Sequence, residues 1–365
     1  MRIGVLGGGQ LGRMLALAGM PLGHTFTFLE PAPESTRDLG RVIAASAEDA
    51  AALDALADAV DVVTYEFENV PVAAARALAA RVPVHPPPEA LAQAQDRVVE
   101  KRFLRALGVP TPDFAVVDDR VGLAAAAERL GLPLILKTRR FGYDGKGQVV
   151  VRTADDLDGA WAAIAGRPAI AEAFVAFTRE LSVLAVRGHD GGVACWPLVE
   201  NRHVAGVLRL SLAPAPDLTP ALQALAEGHA RRVLDALGYV GVLALELFQV
   251  GDALLANEMA PRVHNSGHWT IEGAATSQFE NHVRAVTGAP LGATTMHGVA
   301  AMVNLIGAWP DPAALLAVPR AHLHLYGKAP RPGRKVGHVT LRAGTAAALA
   351  EPLARVRALA DAAAC

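Results

Sequence analysis

The stretch LILKTRRFGYDGKGQVVVR (Leu134–Arg152) decides how this chain is read. Two short apolar runs, Leu134–Thr138 and Gln148–Arg152, have the length and branching of strands. Between them lie Gly142, Gly145 and Gly147, together with Arg139, Arg140 and Lys146. Backbone N–H groups freed by glycine, next to cations, form a cradle for a polyphosphate. No GxxxxGK[ST] occurs anywhere in the chain, and strands flank the loop on both sides, so it is not a Walker loop. Taken alone, the loop could also be a flexible hairpin on a basic surface. Further along, Glu246 sits in the apolar strand LALELFQV and Glu258 ends the next strand, LLANEMAPR. A carboxylate among leucines is costly unless it is paired or bound to metal. Two of them on adjacent antiparallel strands can face one another and share Mg2+ with phosphates.

The N-terminus carries a second glycine motif. Gly7, Gly9 and Gly12 fit G-x-G-x-x-G after the strand Arg2–Leu6, and Glu30 closes the next strand 18 residues after Gly12. By spacing alone this is a dinucleotide fingerprint, and it makes an NAD-dependent dehydrogenase the rival reading. The helix Gln10–Ala18, the strand His24–Leu29, the helix Ala47–Ala59 and the strand Asp61–Tyr65 continue a βαβ order, which implies a parallel, doubly wound sheet. The proline-rich VPVHPPPEA (Val82–Ala90) marks a boundary, after which Asp96 caps a helix to Leu107. Beyond it the texture is largely antiparallel α+β. Strands are expected at Glu180–Val186, Val193–Leu198, Val240–Val250 and Ala253–Glu258, with a long helix at Thr219–Leu237 and a last one at Thr345–Ala360.

At roughly 150 residues per domain, 365 residues imply two or three domains. Lys plus Arg number 34 and Asp plus Glu 36, a balance of −2 that gives no global field for nucleic acid or an anionic membrane. Apolar residues make up 52% and charged residues 19%, a globular composition. The longest stretch free of charge, Ala285–Pro310, is broken by prolines, glycines and polar residues and is no membrane span. Two distant cysteines, Cys195 and Cys365, make no disulfide framework, which fits a reducing cytoplasm.

Taken together, VLGGGQLGRML (Val5–Leu15), YEFENVP (Tyr65–Pro71), FGYDGKGQ (Phe141–Gln148), NEMAPRVHNSGHWT (Asn257–Thr270) and RPGRKVGHV (Arg331–Val339) resemble one ATP-grasp family, the N5-carboxyaminoimidazole ribonucleotide synthetases. The resemblance runs from Ile3 to about Thr340. It implies a Rossmann-like pre-ATP-grasp domain over 1–95, an ATP-grasp domain over 96–297 with a lid at about 110–175, and a small C-terminal domain over 298–365. The implied reaction joins bicarbonate to the amine of 5-aminoimidazole ribonucleotide at the expense of ATP, by way of carboxyphosphate, in purine biosynthesis. ATP and Mg2+ are implied, without biotin or NAD, in a cytoplasmic homodimer with small-molecule partners, no nucleic acid and no membrane.

Residue by residue, the resemblance gives Arg97 and Lys137 contacts to ATP phosphates and makes Gly142–Gln148 (Gly142, Tyr143, Asp144, Gly145, Lys146, Gly147, Gln148) the lid over the triphosphate. Glu172, Ala173, Phe174 and Val175 would form the adenine linker, Glu180 would bind ribose, and His203 would also touch the nucleotide. Glu246 and Glu258 would hold Mg2+, with Asn257 beside them. Arg262, His264 and Asn265 would lie at the bicarbonate, Arg262 holding the anion and His264 a candidate proton acceptor. Lys328, Arg334 and Lys335 would take the 5′-phosphate of the ribonucleotide, and Tyr143, Asp144 and Lys146 would approach it from the lid. The first glycine motif is reinterpreted accordingly: Gly8, Gln10 and Leu11 would hold part of the ribonucleotide, and Glu66, Glu68 and Asn69 would approach it. Two positions depart from the family pattern, Ala173 where a second acidic residue is frequent and Lys146 where arginine is common. A transformylase or another ATP-grasp ligase is the nearer alternative; the string from Glu258 to Thr270 speaks against it.

Overall fold

The computed structural model describes residues 1–142 and 145–363. Three sheets organise them. The first is parallel, in the order β3-β2-β1-β4: β1 (Arg2–Leu6), β2 (Thr25–Leu29), β3 (Arg41–Ile43) and β4 (Val62–Tyr65). Leu6, Phe28, Val63 and Tyr65 are fully buried, as expected for strands covered on both faces by crossover helices. β3 is an addition to the strands read from sequence; with three residues, Arg-Val-Ile, it carries too little pattern to be recognised.

The second sheet holds the lid hairpin. Its order is β5-β8-β6-β7, all antiparallel: β5 (Phe114–Val117), β6 (Leu134–Thr138), β7 (Gln148–Val151) and β8 (Ala169–Ala173). β6 and β7 pair from Leu134↔Val151 to Lys137↔Gln148, so the loop between them leaves the sheet next to Lys137. Gly145 in that loop has φ +75, and a Cβ there would lie 3.0 Å from Gly206 Cα. Only glycine allows both the left-handed backbone and the close approach to the turn at Ala205–Gly206.

The third sheet has nine strands. β9 (Arg179–Arg187), β10 (Val193–Cys195), β11 (Val199–Val204), β12 (Val207–Ala213), β13 (Gly241–Val250), β14 (Ala253–Ala260), β15 (Val299–Ile306), β16 (Ala321–Leu325) and β17 (Lys335–Ala343) run in the order β14-β13-β9-β11-β12-β15-β17-β16, with β10 on β9. The C-terminal strands thus do not form a sheet of their own: β15 pairs with β12 and carries the body's sheet onward. No local sequence pattern tells which sheet such a strand will join.

The helix Arg97–Ala106 links the layers. Asp96 caps it, accepting from Val98 and Val99 N–H at 3.0 and 3.4 Å, and also accepts from Arg139 at 2.8 Å. One carboxylate therefore starts the helix and ties it to the base of the lid hairpin. No helix among the described residues is long and apolar enough to cross a membrane.

Candidate functional site

The three sheets converge on one cleft of about 1230 Å³. Of the ATP-site residues expected from sequence, Arg97, Lys137, Gly142, Gly145, Lys146, Gln148, Glu172, Ala173, Phe174, Val175, Glu180, His203, Asn257 and Glu258 all line it. So do Gln10, Leu11, Glu68, Glu246, Arg262, His264, Asn265, Lys328, Arg334 and Lys335. Gly147 and Gly8 are not among the lining residues, and Tyr143 and Asp144 lie outside the described residues.

At the centre is an alternation of cations and carboxylates. The register of β13 and β14 sets Glu246 directly opposite Glu258. Arg97 Nη1 donates to Glu258 Oε2 at 2.5 Å. Lys137 Nζ donates to Glu172 Oε2 at 2.9 Å and to Asn257 Oδ1 at 3.2 Å. Burial alone would push the Glu172 carboxyl up, but Lys137 and Lys101 override it and hold it at about 2. Burial likewise opposes ionisation of Glu258, and Arg97, Lys137 and Lys101 bring it well below the usual carboxylate range. Both carboxylates are therefore ionised at neutral pH. Glu172, expected in the adenine linker, turns its side chain inward to the lysines; its backbone stays in β8 beside the cleft. The apolar end of the cleft holds Phe174 and a stacked pair, Phe177 and Phe248, with ring centroids 4.7 Å apart.

Glu246 and Glu258 suit a divalent cation. They are two hard oxygen donors, they face each other in register, and they are only partly covered, the Glu258 side chain being 37% exposed. Among the described residues no group of three His, Cys, Asp or Glu could hold a metal, so a cation here would need oxygens from a second ligand such as phosphate. Glu246 Oε1 lies 3.0 Å from His264 Nε2. On the other side of the ring, His264 Nδ1 lies 2.9 Å from Ser266 Oγ and 3.3 Å from Ser266 N–H. His264, the candidate proton acceptor from sequence, turns Nε2 to Glu246 and Nδ1 to Ser266. Asn265 lines the cleft, is buried and exchanges hydrogen bonds with Asn304 of β15 at 3.0 and 2.7 Å.

The other end of the cleft belongs to the first sheet. Gly9 N–H donates to Glu66 Oε1 at 2.5 Å, Gly12 N–H to Glu66 Oε2 at 2.9 Å, and Gly8 N–H to Glu30 Oε2 at 3.1 Å. The N–H groups that would grip a pyrophosphate in a dinucleotide site are spent on the chain's own carboxylates. Gly7, at φ +108, is glycine for the same reason: a Cβ there would meet Glu66 Cγ at 2.7 Å. Gly8, expected to touch the ribonucleotide, has its N–H committed in this way. Lys328 reaches across to hydrogen-bond Gln10, Arg262 pairs with Glu68, and Arg334 pairs with Glu34 at 2.5 Å. Lys328, Arg334 and Lys335, together with Arg331, make this end cationic. Arg331 was not singled out from sequence, since one more arginine in a basic turn gives no signal.

Two further residues lay beyond sequence reading: Glu100 and Lys101, buried on the helix Arg97–Ala106 directly behind Asn257 and Glu258. Their spacing from Arg97, three and four residues, puts them on its face of the helix. That was the one signal available, and charged residues on a helix ordinarily face solvent.

A lid hairpin, an antiparallel body and two facing carboxylates beside a buried lysine define an ATP-grasp protein. Family models agree. An ATP-grasp domain matches residues 102–279, a ribonucleotide synthetase preATP-grasp domain residues 1–95, and a phosphoribosylaminoimidazole carboxylase C-terminal domain residues 300–352. The N5-carboxyaminoimidazole ribonucleotide synthase of Pseudomonas aeruginosa is 55% identical over 363 residues, 99% of this chain and 100% of that one. The crystal structure of the Thermus thermophilus synthetase superposes with a TM-score of 0.94 at 59% identity, over 98% of each chain. The Aspergillus clavatus synthase, solved with ADP and 5-aminoimidazole ribonucleotide, gives 0.91 at 34% identity, over 99% of this chain and 98% of that one. The chain belongs to the N5-carboxyaminoimidazole ribonucleotide synthase family.

Proposed function

We propose that this chain carboxylates 5-aminoimidazole ribonucleotide with bicarbonate and ATP, releasing ADP and phosphate, as an ADP-forming ligase of purine biosynthesis. The observation that carries the reading is the shape of the cleft: one end holds Lys137 on Glu172 and Arg97 on Glu258 beside the facing Glu246, and the other gathers Lys328, Arg331, Arg334 and Lys335. Two phosphorylated substrates can thus meet in one cleft. Glu66 and Glu30 on the glycine-loop N–H groups speak against a dinucleotide there.

In this reading a bicarbonate oxygen attacks the γ-phosphorus of ATP, ADP leaves, and carboxyphosphate forms. Loss of phosphate gives CO2, the substrate amine adds to its carbon, and the proton released from nitrogen leaves to a base. Phosphoryl transfer asks for positioning and charge, not a covalent nucleophile. Lys137 and Arg97 supply fixed positive charge at the phosphates, and Arg262 is placed for the bicarbonate anion. Glu246 and Glu258 would hold Mg2+, which neutralises phosphate charge when bound. The lid loop at Gly145–Gly147 excludes water, so that carboxyphosphate is not hydrolysed. Domain limits at 95/96 and 297/298, a cytoplasmic location and a homodimer complete the proposal.

The test is ADP release with Mg-ATP and bicarbonate, with and without 5-aminoimidazole ribonucleotide. Release that requires the ribonucleotide and gives an acid-labile carboxylated product is the expected result; ATP binding without ribonucleotide-stimulated release would remove the acceptor from the proposal. A variant tests the cationic end. Lys328→Ala is expected to raise the KM for the ribonucleotide about tenfold or more, the size of one charge-assisted contact, and to leave that for ATP within about twofold. Equal changes in both constants would take the phosphate away from Lys328.

A further inference from the structure

The strand that carries Glu258 is irregular where its chemistry lies. Glu246 is opposite Glu258, but the next pair is Leu247↔Ala256, so Asn257 is an extra residue in β14 with no partner on β13. In a regular strand Asn257 and Glu258 would point to opposite faces. Across this bulge both line the cleft, Asn257 Oδ1 accepting from Lys137 and Glu258 from Arg97. A bulge re-aims side chains but leaves backbone groups of the extra residue without a ladder partner.

Those groups are taken from the helix side. β14 is an edge strand, and its open edge faces the helix Arg97–Ala106. Lys101 Nζ donates to the Asn257 carbonyl at 2.6 Å and to the Ala256 carbonyl at 3.2 Å, and lies 3.4 Å from Glu172 Oε1. Two of the three ammonium donors are thus taken by backbone carbonyls, and the Glu172 carboxylate lies within ion-pair distance, at a residue with no exposed surface. One residue back, Glu100 Oε1 accepts from Met259 N–H at 2.6 Å. Side chains of this helix thus take the Ala256 and Asn257 carbonyls and the Met259 N–H where a neighbouring strand would otherwise pair, while Ala256 N–H donates to the Pro110 carbonyl at 2.7 Å.

We propose that Lys101 is a positioning residue of this enzyme: it fixes the Asn257 bulge, and through it the aim of Asn257 and Glu258 at the nucleotide phosphates and their cation. Glu100 seats the same strand one residue further on. The inference rests on the functional reading above for its activity readout, but its binding readout does not.

The test compares the parent chain with Lys101→Met, which keeps the apolar stem and removes every donor. ADP is titrated calorimetrically with and without Mg2+. The affinity gained from Mg2+ is expected to fall about tenfold to a hundredfold in the variant, the range for residues that orient metal ligands, while metal-free ADP binding stays within about threefold. Amide exchange at Asn257–Met259 is expected to quicken. Ribonucleotide-dependent ADP release should fall by a similar factor, with a higher Mg2+ requirement and an unchanged KM for the ribonucleotide. Lys101→Arg, which keeps charge and donors, should restore part of the loss.

A variant that melts earlier but keeps the parent's Mg2+ gain and exchange rates would overturn the proposal, leaving Lys101 a purely structural residue. If Lys101→Met does not fold, Lys101→Gln, which retains an amide donor without the charge, is read by the same measurements. If the parent releases no ADP in response to the ribonucleotide, the functional reading fails, and the ADP titration and the exchange rates still decide for or against Lys101.

Discussion

Glu258→Gln is expected to lower ribonucleotide-dependent ADP release by at least about 100-fold while the protein still folds, since misdirected charge at a phosphoryl-transfer centre costs on this order. Glu258 is held ionised by Arg97 and faces Glu246 across the β13–β14 ladder, so its charge is set for a cation shared with phosphate. Glutamine keeps the shape, and its amide oxygen can still accept from Arg97, so only the charge is removed. The measurement is steady-state ADP release alongside a thermal melt. A folded variant within about twofold of the parent would remove Glu258 from the metal site.

The second large effect is on stability. Glu172→Ala is expected to destabilise the protein by about 3–5 kcal/mol, the usual cost of leaving buried charge unpaired. Glu172 is 2% exposed and sits between Lys137 Nζ at 2.9 Å and Lys101 Nζ at 3.4 Å, so removing it strands two buried ammonium groups. A melt by circular dichroism checks this, and a loss below about 1 kcal/mol would mean that the lysines find other partners. The same carboxylate gives a pH dependence. Its folded value of about 2 lies below the ordinary 4.5, so its contribution is complete above about 4.5 and is lost as pH falls toward 2. In an acid titration of the melt, Glu172→Ala should therefore lose less stability than the parent between these limits.

Much of the site was legible before any coordinates. The lid loop announced itself through three glycines and three cations between two strands, and Glu246 and Glu258 through their unlikely place in apolar runs. Physical chemistry made both visible: such residues are tolerated there only with a partner. The glycine motif at Gly7–Gly12 was legible too, but not the partner of its N–H groups. Its spacing fits a dinucleotide, and what turns it to other use is Glu66, 54 residues further on, whose carboxylate takes the Gly9 and Gly12 N–H groups. No local pattern carries that information. Likewise β5, β8, β11 and β12 were not placed, because short strands paired to distant partners leave little periodicity of their own.

By itself, then, the sequence determined the chemical inventory: where glycine must stand, where charge is buried, and which strands and helices punctuate the chain. These are local consequences of sterics and solvation. Tertiary structure decided which of those charges meet. It set Glu246 against Glu258, turned the Glu172 side chain toward two lysines, opened a bulge at Asn257, and brought Lys101 from a helix 156 residues away to hold its carbonyl. Such contacts depend on register and packing between distant segments, which only the folded chain fixes.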